Sequence, residues 1–395
     1  MRRESVAWER AAEVREAAEG WLRAGAIGTP TYDAVRNAYP DPCVTPSAVW
    51  RVLTAGMVTA VVVCTLGALW VATQPGATSL ALLLFVLGVA AFMVTEYLEA
   101  SPRSARRGAA GATAFWGNIF ILGGLAILLS EGLRVDGERA LDAVLLASAL
   151  VWAASCWRWG SPLFAGLSAV SSFLFLSRLP LGRALWLLAG AALVGLVARR
   201  PDDLAWAPSH RRAAMVLLVV GVGAVYVASN VYSLDEHVVE GFLKFAPSHG
   251  ARPFWLMVVA AMATAVLPLA ILWWGLKARR VLLLDTGIVL LALSLVTLRH
   301  YVHVAPLWVV LTASGALLVV VALAVERALR GRPGGERWGF TADPLFSDER
   351  RQQILQTVPV VAAFTPPAAP VAATEAPGFT GRGGAFGGGG ASDKF

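Results

Sequence analysis

A run of apolar blocks between Val52 and Glu326 constrains this chain more than any other feature. Most blocks are 17 to 23 residues long and are separated by short charged or Pro/Gly breaks. The first block, Val52–Thr73, has no charged residue in 22 positions. At about 1.5 Å rise per residue, a helix of that length matches a hydrocarbon core of about 30 Å. The blocks therefore predict helices that cross a membrane.

Ten such blocks can be counted, so the sequence predicts an all-α fold: a polytopic membrane bundle of about ten transmembrane helices. Tryptophan or tyrosine near many block ends is typical of the aromatic belt at headgroup depth. The predicted spans are 52–73, 78–98, 112–130, 140–157, 161–177, 181–198, 213–232, 253–275, 281–298 and 305–326.

Composition agrees with a membrane protein and argues against a nucleic-acid partner. Hydrophobic residues make up 57% of the chain and charged residues 15%, and the mean hydropathy is +0.64. Soluble domains carry about 25% charged residues. The net charge of +7 comes mainly from arginines beside the apolar blocks, where cations orient helices. The lipid bilayer is therefore the expected environment.

Cationic residues on the loops predict the orientation of the bundle. With ten spans and a cytoplasmic N-terminus, seventeen Lys and Arg lie on or beside the inner loops and seven on the outer loops. The positive-inside rule then places both termini in the cytoplasm, for a multi-pass protein of the inner (plasma) membrane. The count depends most on 140–198, where three short spans are joined by minimal loops. One span fewer there would reverse every later span.

The chain is expected to have four parts. Residues 1–48 form a cytosolic helical hairpin, 49–327 the transmembrane bundle, 328–357 a cytosolic junction with a short helix, and 358–395 a Pro/Gly-rich disordered tail, whose composition cannot bury enough surface to order itself. The hairpin is too small for its own core. Its apolar stripe is therefore expected to pack on the membrane surface or on a partner, and comprises Trp21, Ile27, Tyr32, Val35 and Tyr39.

Small residues at four-residue spacing predict where helices approach closely. Such faces occur at Gly56–Ala60, Ala191–Gly195 and Ala224–Ala228. In lipid, helices associate through close packing rather than through a hydrophobic driving force, and small side chains permit that packing. These faces are packing signals and name no function.

Two regions together resemble a known family. The hairpin pattern runs from Trp21-Leu22 to Tyr39 and leads directly into the first span, and Arg299, His300 and Tyr301 precede the last span. The pair resembles bacterial predicted membrane proteins catalogued as domain of unknown function 2157, which often carry an Arg-aromatic motif before the final span. His300 departs from the aromatic that is common there. The resemblance covers about 75 and about 35 residues. It implies the architecture and supplies no catalytic residue.

Histidines and carboxylates concentrate in two predicted outer loops, 233–252 and 299–304. Docked together, these loops could build a metal or proton-linked site. The simpler hypothesis is an interfacial helix over 234–245 with a solvated charged face, and an Arg/Tyr anchor at the headgroups. We favour the simpler hypothesis, because no spacing here has the specificity of a metalloprotease motif. The residues of this outward polar cluster are Glu236, His237, Glu240, Arg299, His300, Tyr301 and His303.

Three polar side chains lie within the predicted spans and are candidate intramembrane sites. Glu96 and Asp285 lie near inner span ends, where snorkelling or helix-dipole pairing explains them. Asn118 is deeper and is expected to hydrogen-bond across helices. No predicted span has a charge at its centre, which disfavours a proton-coupled pump.

Three functions remain open at this stage. The leading interpretation is a non-enzymatic integral membrane protein with partner-binding cytosolic ends, because the chain lacks a Walker loop, a nucleophile elbow, a kinase signature and a zinc-protease motif. No cofactor or catalytic residue is predicted. One alternative is a small-solute transporter, which needs a polar cavity reaching Glu96 and Asp285. The other is a membrane sensor or enzyme, which needs the outward polar cluster to converge.

Overall fold

Long apolar stretches fold as helices in a membrane because every backbone polar group must find its partner within the segment. A computed structural model of the chain describes residues 3–23, 25–40, 48–100, 108–199, 207–231, 254–278 and 280–302, with isolated positions between 309 and 341. Nearly all of these residues are helical. The chain divides into two units, Met1–Thr264 and Ala265–Phe395, which we describe separately.

The first unit begins with the predicted helical hairpin. Helix α1 spans Arg3–Arg23 and α2 spans Thr29–Ala38. Gly25 ends α1 with φ +69°, a left-handed conformation that favours glycine. Its N–H donates to the carbonyl oxygen of Leu22 at 3.0 Å. Proline at the start of α2 suits a helix N-terminus, where its missing N–H has no cost.

Seven apolar helices follow among the described residues up to Ser229. Helix α5 runs on without a break into a five-residue π-helical turn, Leu128–Gly132, so the continuous segment is as long as its neighbours. The helices are α3 (Ala48–Thr73), α4 (Ala77–Ala100), α5 (Ala109–Ile127), α6 (Gly137–Trp159), α7 (Pro162–Ser177), α8 (Gly182–Ala198) and α9 (Pro208–Ser229).

Helix α10 spans Phe254–Ala278 and crosses the boundary between the units, and α11 spans Val281–Val302. Within the second unit α10 and α11 pack closely, since a Cβ on Gly287 would lie 2.7 Å from Leu272 Cγ. A two-residue antiparallel pair, β1 (Glu336–Arg337) with β2 (Phe340–Thr341), lies farther along the chain.

Six of the described helices are long and apolar enough to cross a membrane: α3, α4, α5 with its π turn, α6, α9 and α10. Helices α7, α8 and α11 are apolar but contribute only 16 to 17 qualifying residues each. The tenth predicted span, 305–326, lies outside the described residues except for isolated positions. A membrane-embedded helical protein is therefore supported, whereas the six long helices fall short of the ten predicted spans.

Polar contacts show that α6 to α9 run antiparallel in succession. Arg178, after α7, pairs with Glu138 and Asp142 at the start of α6. Arg183 Nε, at the start of α8, donates to the carbonyl oxygen of Ala228, near the end of α9, at 2.6 Å. Helices α7 and α8 therefore extend from one end of the first unit to the other, as their longer neighbours α6 and α9 do. They do so although a 16-residue helix is only about 24 Å long. The three helices predicted over 140–198 are present.

Close approaches between helices occur at glycines that the four-residue pattern did not select. A Cβ on Gly190 of α8 would lie 3.0 Å from the carbonyl oxygen of Gly221 of α9. The prediction is wrong for Gly56 and for Gly195, since a Cβ at either position would meet no described atom within 4 Å. It is confirmed for Ala224 and Ala228, which are buried in a core cluster with Phe173 and Trp186.

Two tryptophans near the ends of predicted spans, where an aromatic belt was expected, instead hold helices together. Trp116 of α5 donates from Nε1 to Thr59 Oγ1 of α3 at 3.2 Å. Trp159 of α6 packs on Phe92 of α4 with ring centroids 5.5 Å apart. By contrast, Trp157 is 81% exposed, as expected for a belt residue. The sequence places a tryptophan near a span end but does not say which way its ring turns.

Candidate functional site

The first turn of α9 receives its helix cap from another helix. The first N–H groups of a helix have no partner within it, and they attract negative charge. Ala207 occupies the N-cap position and no side chain of α9 caps the turn. The backbone N–H of Ser209 instead donates to Glu9 Oε2 of α1 at 3.1 Å. The N-terminal hairpin therefore supplies the capping carboxylate of a bundle helix.

A second carboxylate of α1 reinforces this contact. Glu13 lies four residues after Glu9, so both side chains project from the same face of α1. Glu13 forms an ion pair with Arg211, one turn into α9. The two contacts join carboxylates one turn apart on α1 to groups on the first turn of α9. They fix both the position and the rotation of α1.

The corner between α6 and α7 packs against the same turn of α9. Gly160 ends α6 with φ +68°, and a Cβ there would lie 2.5 Å from Ser209 Oγ. His210 Nε2 donates to the carbonyl oxygen of Trp157 at 3.1 Å. A larger residue at position 160 would displace the turn that Glu9 caps. This glycine thus brings the ends of α6 and α9 together.

Glu96 of α4 has partners on α6. Its Oε2 accepts from Arg158 Nη2 at 2.5 Å, and its Oε1 accepts from Trp159 Nε1 at 3.1 Å. Glu99, one turn further along α4, is repelled by the charges of Glu9 and Glu96 and attracted by that of Arg158. The carboxylate that the sequence marked as a candidate transport site therefore serves as a link between α4 and α6.

These contacts gather at one end of the first unit, which we call the hairpin end. We call the side chains together the hairpin-end cluster. Its four carboxylates come from α1 and α4 and its cations from α6 and α9. Sequence analysis identified Glu96 alone among its members as a candidate site. For the other charged members, the sequence shows only that acidic and basic residues occur on separate helices, and it does not show which of them pair. The cluster consists of Glu9, Glu13, Glu96, Glu99, Arg158, Trp159, Ser209, His210 and Arg211.

Asn118 forms the hydrogen bond across helices that the sequence predicted. Its side chain is fully buried in α5. Its Oδ1 accepts from Ser155 Oγ of α6 at 2.9 Å, and its Nδ2 donates to the carbonyl oxygen of Ala114 at 2.7 Å. Such bonds in membrane proteins contribute on average about 0.6 kcal/mol. Asn118 therefore has a structural role, because its hydrogen bond joins α5 to α6.

The remaining sequence candidates lie on α11 or outside the described residues. Asp285 is exposed on α11. Arg299, His300 and Tyr301 were predicted to lie in a loop, but α11 continues to Val302 and includes all three. Glu236, His237, Glu240 and His303 lie outside the described residues. Within the described part of the chain, no three His, Cys, Asp or Glu side chains could share a metal ion.

A groove of about 360 Å³ lies between α3 and α4, at the end opposite the hairpin. No ionisable side chain lines it, and neither Glu96 nor Asp285 borders it. An apolar groove of this kind suits lipid chains rather than a polar solute. Its lining residues are Leu66, Gly67, Leu69, Trp70, Pro75, Leu80, Leu83 and Leu84.

Arg178 joins α7 to α6 at the opposite end. Its side chain is 12% exposed and pairs with the carboxylates of both Asp142 and Glu138. The hydrogen bond that Arg178 donates to Asp142 is the main reason that the pKa of this guanidinium lies above its usual value. This arrangement is a structural brace.

Comparison of the chain with family models, curated proteins and solved structures finds no match. The class that the fold itself defines is an α-helical protein in which six described helices are long and apolar enough to cross a membrane. Any finer assignment therefore depends on the contacts described above.

Proposed function

We propose that this chain is a non-enzymatic, multi-pass protein of a bacterial inner membrane, and that its N-terminal hairpin binds a protein partner in the cytoplasm. The resemblance to domain of unknown function 2157 belongs to the same proposal. The main support comes from the apolar stripe of the hairpin, where Trp21 is 41% exposed and Tyr39 is 45% exposed. Helix α1 is attached to the bundle through its carboxylates instead. Exposed aromatics on an anchored element are typical of interaction sites.

The proposed topology has ten spans with both termini cytoplasmic. It is supported by the antiparallel course of α6 to α9 and by the excess of cationic residues on the predicted inner loops. Each of the short helices α7 and α8 then counts as a crossing, so the hairpin end faces the cytoplasm.

Reporter fusions test this topology. Alkaline phosphatase fused after Arg199 should be inactive and green fluorescent protein there should be fluorescent, because that position lies at the hairpin end. Fusions after Leu179 should give the reverse pattern, because α7 ends at the opposite end. The same cytoplasmic result at both positions would show that α7 and α8 do not cross, and would contradict the ten-span count.

Site-specific photocrosslinking in cells tests partner binding by the hairpin. A photoreactive amino acid at position 21 or 39 should give one discrete adduct larger than the chain, because these aromatics are exposed. Glu16 is exposed on α1 and is not part of the apolar stripe. It serves as the control position, where that adduct should be absent. An identical pattern at positions 16, 21 and 39, or adducts with lipid alone, would contradict a protein-binding hairpin.

A further inference from the structure

We propose that the hairpin is held to the bundle by an ionic latch, formed by Glu9 and Glu13 of α1 on the first turn of α9, which opens as ionic strength rises. The proposal rests on the proposed function, since the latch controls whether the partner-binding hairpin is docked or released. The structure shows the hairpin docked on the bundle, and the proposal adds a second state in which the hairpin is released.

Apolar burial contributes little to the attachment of the hairpin. Ala18 is the one buried side chain among the described side chains of α1, and α2 has none. The other described apolar side chains of α1 are half-buried or exposed, so each contributes only part of the free energy of full burial. Polar contacts therefore contribute a substantial share of the attachment of α1. Attachment of this kind responds to charge and salt, whereas an apolar interface of normal size does not.

The two polar contacts of the latch are both open to screening. The side chain of Glu13 is 48% exposed and that of Arg211 is 24% exposed. Exposed pairs of this kind weaken as the Debye length falls from about 8 Å at physiological salt to about 3 Å at 1 M. The attraction between Glu9 and the helix N-terminus is screened in the same way. Both contacts therefore weaken together.

Two further features of the structure oppose docking of the hairpin. Glu9 and Glu99 repel each other in the docked state. In addition, Arg211 Nε is buried without a hydrogen-bond partner, although its Nη2 donates to Glu13. A buried donor without a partner is costly, and it regains water when the hairpin leaves. Release therefore relieves one repulsion and one unsatisfied donor.

Hydrogen exchange on the purified full chain in lipid nanodiscs tests the latch. The variant Glu9→Gln/Glu13→Gln removes both charges, and Glu16→Gln/Glu19→Gln removes two charges of α1 that make no contact with α9 in the structure. In low salt, amides 209–212 of the double latch variant should exchange roughly tenfold faster than those of the wild type, since a lost helix cap and a lost ion pair together account for about that factor. The control should match the wild type.

Salt gives an independent readout. Raising ionic strength from about 50 mM to about 500 mM should accelerate the same amides in the wild type and leave the latch variant nearly unchanged. Equal protection in the latch variant and the wild type, or exchange that does not respond to salt in the wild type, would overturn the proposal.

Exchanging the two charges of the ion pair distinguishes loss of the latch from misfolding of a variant. Glu13→Arg alone should release the hairpin, and Glu13→Arg combined with Arg211→Glu should restore protection of amides 209–212. Failure of the pair to restore it, with both proteins monodisperse and helical, would also overturn the latch. Because no partner is present, these results are independent of the crosslinking experiment. A latch without any crosslinked protein would refute the proposed function alone.

Discussion

Replacing Gly190 by leucine is expected to destabilise the protein by about 3 kcal/mol, the upper part of the range for overpacking. A Cβ at this position would lie 2.8 Å from Val225 Cγ2 and 3.0 Å from the carbonyl oxygen of Gly221. The valine side chain could turn aside, but the backbone oxygen cannot move unless α8 and α9 separate. Thermal unfolding in detergent, followed by circular dichroism, measures the effect.

Gly195 provides a matched control on the same helix. A Cβ there would meet no described atom within 4 Å, so Gly195→Leu should leave the unfolding temperature within error of the wild type. Both substitutions add the same side chain and remove the same helix-destabilising glycine. Equal effects at the two positions would contradict the packing of α8 on α9.

Removing the guanidinium of Arg178 is expected to cost about 2 kcal/mol. Breaking a buried charge pair costs about 3–5 kcal/mol, but Glu138 is 61% exposed and Asp142 is 40% exposed, so solvent screening lowers the figure. Arg178→Ala leaves the two carboxylates facing each other without a cation. Unfolding temperature in detergent and hydrogen exchange in the first turn of α6 should both report the loss.

Two variants make this experiment specific. Arg139 lies next to Glu138 but is exposed, so Arg139→Ala removes the same charge and should have little effect. Arg178→Lys retains the charge but has a single ammonium in place of a planar fork that serves two carboxylates. We expect it to fall between the wild type and Arg178→Ala. An alanine variant as stable as the wild type would show that Arg178 does not brace α6 and α7.

The latch and the brace lie at opposite ends of the first unit and use charges differently. Arg178 is largely enclosed and pairs with two carboxylates from one helix, so its contact stabilises a fixed pair of helices. Glu9 and Glu13 reach α9 from a hairpin with almost no buried apolar side chain. The same kind of ion pair is therefore structural at one end and reversible at the other.

Local properties of the sequence determined the helices. Apolar length predicted the long apolar helices, six of which are long and apolar enough to cross a membrane, and glycine and proline predicted the turn between α1 and α2, because these signals act within a few residues of the chain. The three helices over 140–198 could be predicted for the same reason. The hydrogen bond of Asn118 could also be anticipated, since a deep amide in an apolar helix requires a partner.

Tertiary structure alone decided which side chains meet. Gly190 faces α9 whereas Gly195 on the same helix does not, because the rotation of α8 depends on its contacts with neighbouring helices. Glu96 is paired with Arg158, 62 positions away, and Glu9 caps a helix that begins about 200 positions later. Apolar length and charge are properties of single segments, whereas pairing depends on how helices rotate and pack. The sequence thus determined the helices, and packing determined the hairpin-end cluster.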